Sequence, residues 1–227
     1  MKNVSDLPKT VDLRNNMSPI VDQGQLGSCT ANAIVSGLRE YLLIKAQKAL
    51  VRLSRLFLYY EERKLEGTIA EDSGASLRDG MKVLAQIGVC PEEDYAYDVT
   101  KFTTAPSVKA YTDAVLYKIS EYHRVVNLNS LKIALSEGQP VVFGFEVYQS
   151  FESEKVAKTG IVPKPKKNET ILGGHAVLAV GYVDKGKSSG RLIVRNSWGQ
   201  AWGDHGYCYM SYSVFDALVM DMWTGQV

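Results

Sequence analysis

The order of the hydrophobic patterns constrains this chain more than any other feature: helical periodicity fills the first half and strand-like runs fill the second. Ser28 can cap a helix beginning at Cys29, after which Ile34, Leu38, Tyr41 and Leu42 fall on one face at i, i+4, i+7 and i+8. A second helical segment runs from Ser54 to Leu65 and stops at Gly67. A third follows Ser76, where Ser76 and Asp79 form a capping box, Leu77, Met81 and Leu84 make the buried face, and Gly88 ends the run. Beyond these, one short helix is predicted from Asn129 to Glu137, closed by Gly138. Strands are predicted at Val141 to Val147, Ala176 to Val183, Arg191 to Arg195 and Tyr207 to Tyr212, with a turn from Asp184 to Gly190. Lys158 to Thr170, with two prolines and four lysines, reads as a surface loop. Helices first and strands second imply an α+β protein of two lobes, with a site in the cleft between them.

At 227 residues the chain can build one large domain or two lobes sharing a core. A net charge of +1 gives no reason to expect nucleic acid or a membrane surface as partner. No apolar run approaches the roughly 20 residues that span a bilayer. The first residues have no apolar stretch of signal-peptide type, so the cytoplasm is the default expectation, with export after removal of a presequence left open. Three cysteines are too few, and odd in number, for a disulfide framework; Cys90 and Cys208 sit among apolar neighbours and are expected to be unpaired core residues.

Cys29 has different surroundings. It follows Asp22-Gln23-Gly24-Gln25-Leu26-Gly27-Ser28, a glycine-rich approach suited to close contact with a ligand. The start of a helix stabilises negative charge, so a cysteine there is expected to have a lowered pKa and to act as a thiolate. The plainer reading is a small residue buried under a helix. His175 follows two glycines and opens an apolar strand, a place that exposes a ring, although a single histidine also serves as an ordinary hydrogen-bond partner. Asn196 ends a strand and could accept a proton from the other imidazole nitrogen, or simply make a turn.

Taken together, these segments resemble the papain family of cysteine peptidases. The matching residues are Gln23, six positions before the cysteine, Gly27-Ser28-Cys29, His175-Ala176-Val177, Asn196-Ser197-Trp198-Gly199 and Trp202-Gly203. His175 lies 146 residues after Cys29, inside the ~130–150 window of such enzymes, and Asn196 lies slightly beyond it. The likeness extends over about residues 10 to 213, through Val11-Asp12-Leu13-Arg14, the segment from Gly88 to Tyr97, and Gly206-Tyr207.

The resemblance implies a papain-like fold with a helical lobe over about 12–115 carrying the nucleophile. An antiparallel β-barrel-like lobe over about 116–222 would carry the histidine and asparagine, the whole of 1–227 forming one peptidase domain. It implies a thioester mechanism with Cys29 as nucleophile, His175 as base and acid, Asn196 orienting the ring under Trp198, and Gln23 with the Cys29 N–H as oxyanion hole. Substrate would be bound by Ser73, Gly74, Ala75, Leu77, Gly144, Gly173, Gly174, Ala176 and Trp198. Small residues at Gly144 and Gly173 imply a roomy pocket for a large apolar or aromatic side chain. No metal or organic cofactor is called for. The implied partners are a peptide or protein substrate and an inhibitory pro-segment or protein inhibitor; a monomer is expected.

The chain also departs from the family pattern. Leu26 stands where the family usually has a disulfide-forming cysteine, Thr30 where it has tryptophan, and Gly174 where it often has aspartate. Ser73-Gly74-Ala75 replaces Asn-Gly-Gly, adding a methyl group to the pocket wall. These features suggest a disulfide-poor, prokaryotic-type member. Two other functions could use the same residues: an acyl transferase or ligase that passes the acyl group to an amine, and a non-catalytic papain fold used for binding. Inactive relatives usually lose the nucleophile or the histidine, and this chain keeps both.

Overall fold

The computed structural model describes residues 4–227; positions 1–3, which the expected single domain over 1–227 includes, lie outside the described residues. Residues 29–45 form one continuous helix: α1 (Cys29–Ala31), a π-helical stretch (Asn32–Arg39) and α2 (Glu40–Lys45). The wide turns fall where the helix packs on the sheet. At Gly37 a Cβ would lie 2.9 Å from Leu178 Cδ2, so any larger residue would have to push that side chain aside. Ser28 occupies the N-cap position, yet its hydroxyl bonds Tyr97 Oη (2.6 Å) and Asn32 Nδ2 (2.9 Å) and no helix amide. The expected side-chain cap is therefore replaced by a tertiary bond.

The other early helices follow their local signals. α3 (Arg55–Glu66) starts where Ser54 Oγ accepts from the Phe57 N–H and ends at Gly67 in the left-handed region. α4 (Leu77–Gln86) starts where Ser76 Oγ accepts from the Asp79 N–H and donates to Asp79 Oδ2. Three short helices went unforeseen: α5 (Val108–Ala114), α7 (Glu154–Thr159) and α8 (Tyr212–Leu218). The short helix predicted near residue 130 is α6 (Leu128–Ser136), capped by Asn127.

Among the described residues, eight strands make one sheet: β1 (Thr10–Asp12), β2 (Glu121–Arg124), β3 (Val141–Tyr148), β4 (Ile161–Val162), β5 (Ile171–Asp184), β6 (Gly190–Arg195), β7 (Tyr207–Ser211) and β8 (Val219–Gln226). Their order is β2-β8-β3-β5-β6-β7-β4, with β1 also on β5, so the barrel-like sheet stays open between β2 and β4. All pairs are antiparallel except β4 with β7. The expected loop from Lys158 to Thr170 contains the end of α7 and the two-residue β4, which takes its place from pairing.

Side chains alternate across this sheet as a strand requires. In β3 and β5, Val142, Ala176, Leu178 and Val180 join the helices in one core, whereas Val141, Phe143, Phe145, Val177 and Ala179 join α6 and α8 in a second. The free thiols Cys90 and Cys208 are buried in different cores, as unpaired residues. Burial pushes Cys90 up to about 12 and raises Cys208 as well. No helix among the described residues is long and apolar enough to cross a membrane.

Candidate active site

A cleft of about 900 Å³ runs between the start of α1 and the β3–β5–β8 part of the sheet. Cys29, at the first turn of α1, lies on one side and His175, near the start of β5, on the other; both line the cleft with Gln23 and Trp198.

The imidazole is held by its surroundings. His175 Nε2 is 2.8 Å from Asn196 Oδ1, and the Ser197 N–H donates to the same oxygen at 2.8 Å. That oxygen is thus an acceptor, so Nε2 carries the proton and donates it. Nδ1 keeps its lone pair. Trp198 stacks on the ring with centroids 4.9 Å apart and planes 29° apart, while Phe145 and Phe151 pack against it. Trp202 meets Trp198 edge-on and closes the cage. This aromatic burial drives the His175 pKa down to about 4, against the upward pull of Asn196. The Asn196 Nδ2 is buried without a hydrogen-bond partner among the described residues.

Gln23 is held as firmly. Its Oε1 accepts from Ser197 Oγ at 2.7 Å, its Nε2 donates to Leu26 O at 3.1 Å, and its backbone N–H bonds Ser197 O. The second Nε2 proton is left for the cleft. Tyr97 Oη donates to Gln23 O at 2.8 Å and meets Ser28 Oγ, and the Arg55 guanidinium lies 3.7 Å above the Tyr97 ring. Gly24, at φ +61°, supplies the tight turn.

The thiol departs from the expectation. Backbone N–H groups of Ala176, Thr30 and Cys29 pull its pKa down, but desolvation is the larger influence, and Glu62 adds to it; the net shift is upward. Helix-start chemistry is local, and burial outweighs it here. Thiol and imidazole are each driven toward the neutral form. A thiolate–imidazolium pair can form only by transfer of the proton between them, each charge then stabilising the other.

Thr30, the residue after Cys29, meets Glu62. Glu62 is fully buried, accepts from Thr30 Oγ1 at 2.8 Å, and its Oε1 has no partner among the described residues. Desolvation, with Glu66 and Asp79 nearby, raises its pKa well above the usual carboxylate range.

Ser73, Gly74, Ala75, Leu77, Gly144, Gly174, Ala176 and Trp198 all reach the cleft wall. Asn196 stands behind His175, and Gly173 lies just outside the lining with open space about it. Thr30, Glu66, Asp72, Met220 and Asp221 also line the cleft and went unrecognised in the sequence. Asp72 holds the loop before Cys29 by accepting the Gly27 N–H at 3.0 and 3.1 Å.

Three comparisons bear on this geometry. Residues 7–222 match the family model described as papain family cysteine protease. A peptidase C1-like protein of Acanthamoeba polyphaga mimivirus is 43% identical over 97% of this chain and 73% of its own length. Cysteine proteinase 1 of Entamoeba histolytica is 33% identical over 89% of this chain, which spans 63% of that enzyme. Among solved structures, xylellain, a cysteine protease from Xylella fastidiosa, superposes with a TM-score of 0.88 at 40% identity, covering 99% of this chain and 88% of its own. Structures sharing the fold include a proform and a complex with the E64 inhibitor. Fold, cleft and sequence agree, and the chain belongs to the papain family of cysteine proteases.

Proposed function

We propose that this papain-family cysteine protease cuts peptide bonds through a Cys29 thioester. The observation that carries the assignment of roles is the 2.8 Å bond from His175 Nε2 to Asn196, which leaves Nδ1 as the basic nitrogen in a cleft shared with Cys29 and Gln23. Cys29 Sγ attacks the scissile carbonyl while its proton passes to His175 Nδ1. The oxyanion forms against the Gln23 Nε2 proton left free and the Cys29 N–H. The imidazolium returns the proton to the leaving amine, and water, deprotonated by the same nitrogen, hydrolyses the thioester. Asn196 holds the ring and its tautomer, and the cage of Trp198, Phe151 and Trp202 shields that hydrogen bond from water.

The helical and strand-rich lobes act as one peptidase unit, and the protein works as a monomer. An inhibitory pro-segment or protein inhibitor is the partner class that suits a cleft already open to peptide. The test compares Cys29→Ala and Cys29→Ser with wild type on a generic fluorogenic peptide. Loss of at least ~10³-fold in kcat/KM is expected from removing the nucleophile. Equal rates would reject the proposal.

A further inference from the structure

Alongside His175, the sheet brings a carboxylate to the cleft. Ala176, Gly144 and Asp221 are direct partners across β5, β3 and β8, so their side chains share a face. It is the face of Val142 and Leu178, turned toward the helices; Phe143 and Met222 occupy the other. Neighbouring strands lie about 4.8 Å apart, which puts the Asp221 backbone roughly 10 Å from Ala176. The Ala176 N–H is one of the three backbone N–H groups that reach the Cys29 sulfur. That span suits a long side chain on a residue close to the reacting carbonyl.

Gly144 leaves the space open. A Cβ there would stand 3.0 Å from Asp221 Oδ1 and 3.8 Å from Leu77 Cδ1. The β3–β8 register slips just beyond Gly144, pairing Phe145 with Val219, so Met220 has no partner on β3 and lies largely exposed at the rim. The result is a hollow floored by Gly144, walled by Leu77 and Met220, and ended by a carboxylate. Trp223 Nε1 donates to Asp221 Oδ2 at 2.9 Å and fixes its orientation; Oδ1 has no hydrogen-bond or ion-pair partner among the described residues. Among the described residues, no lysine or arginine lines the cleft. Its other two carboxylates are engaged, Asp72 by the Gly27 N–H and Glu66 by the Ser76 N–H.

We infer that Asp221 makes this cleft select substrates carrying a lysine or arginine side chain, whose alkyl stem packs on Leu77 and Met220 while its cation meets Oδ1. The inference rests on the peptidase reading of the cleft. It also revises the expectation of a large apolar side chain: the space is there, but its far end is charged.

The test is a set of fluorogenic peptides in which each residue upstream of the cut is varied in turn among Arg, Lys, Gln, Leu and Phe. At one position wild type should favour Arg and Lys over Gln by ~10-fold in kcat/KM, the size of a charge-assisted bond in a partly open site. Asp221→Asn should remove most of that Arg:Gln ratio whichever way absolute rates move, and Asp221→Lys should invert it. The wild-type ratio should shrink in 0.5 M salt. Cleavage with no basic preference, or a preference that survives in Asp221→Asn, overturns the inference alone. No cleavage of any peptide overturns the peptidase reading and the inference with it.

Discussion

On the helical side of the cleft, Glu62 lies wholly buried one hydrogen bond from Thr30, the residue after Cys29. On the strand side, His175 lies buried among Phe145, Phe151 and Trp198. Desolvation dominates both, yet the two charges have opposite signs, so it raises one pKa and lowers the other. The acid and the base are both kept neutral. Each wall therefore loses stability in a different direction of pH, and the pair can be separated by titration.

The largest expected effect breaks the strand wall. His175→Ala removes the proposed base and should lower kcat/KM by ~10²–10⁴-fold, the range for a positioned acid–base group. Steady-state kinetics on the peptide used for Cys29, with circular dichroism to verify the fold, checks it. A loss of less than tenfold would remove His175 from the chemistry.

Stability against acid comes next. The folded-state pKa of His175 is about 4, below the ordinary value of 6.5. Above pH 6.5 neither folded nor unfolded chains protonate this ring. As pH falls from 6.5 toward 4 the unfolded chain gains a proton that the folded one refuses, so stability is lost through that window. The full shift corresponds to about 3 kcal/mol. Urea midpoints between pH 7 and 4 should fall less steeply in His175→Ala than in wild type. Equal slopes would mean that the ring is not held neutral by its cage. Asn196→Ala probes the same wall more gently. It frees the ring and its tautomer, and ~10-fold or more should be lost, mainly from kcat.

The helical wall should answer with the opposite sign. The pKa of Glu62 is raised on folding, so its neutral form suits the fold and its ionised form does not. Below the ordinary glutamate value of 4.5 both states hold the proton and no stability is at issue. As pH rises past 4.5 the unfolded chain ionises while the folded chain resists, and stability falls until the folded-state pKa is reached. Glu62→Gln keeps an acceptor for Thr30 and removes that ionisation. Its urea midpoint should match wild type near pH 4 and exceed it at pH 8. An unchanged difference across that range would show that Glu62 is not held as the acid.

How much of this was legible in the sequence depends on how local the determinant is. The starts of α3 and α4 were readable because Ser54 and Ser76 bond amides three residues away, and the stop after α3 because Gly67 takes a left-handed conformation. The four positions proposed to carry the chemistry stand out in the sequence because Gln23, Cys29, His175 and Asn196 sit in distinct local motifs in a recognised order. β8 was not: Val219–Gln226 contains an aspartate and a glycine, and it becomes a strand by pairing with β2 and β3. With β8 unseen, Asp221 could not be placed opposite Gly144. The thiol pKa was misjudged for a similar reason, since a helix start is visible in sequence and the depth of a residue is not.

The smallest effect lies where the helical wall meets the oxyanion loop, at a residue that also replaced an expected cap. Tyr97 Oη donates to Gln23 O and shares a hydrogen bond with Ser28 Oγ. Tyr97→Phe keeps the ring under Arg55 and removes only the hydroxyl. Losing the hydroxyl leaves the half-buried Gln23 carbonyl short of a donor and should cost about 1 kcal/mol of stability, read as a shift in the urea midpoint. The loop that carries the Gln23 amide would also be less tightly held. If that amide acts on the oxyanion, as proposed, and not on bound peptide, kcat should fall a few-fold while KM stays nearly constant. A change confined to KM would place Tyr97 with substrate binding, and an unchanged midpoint would mean that Ser28 and Asn32 hold the loop without it.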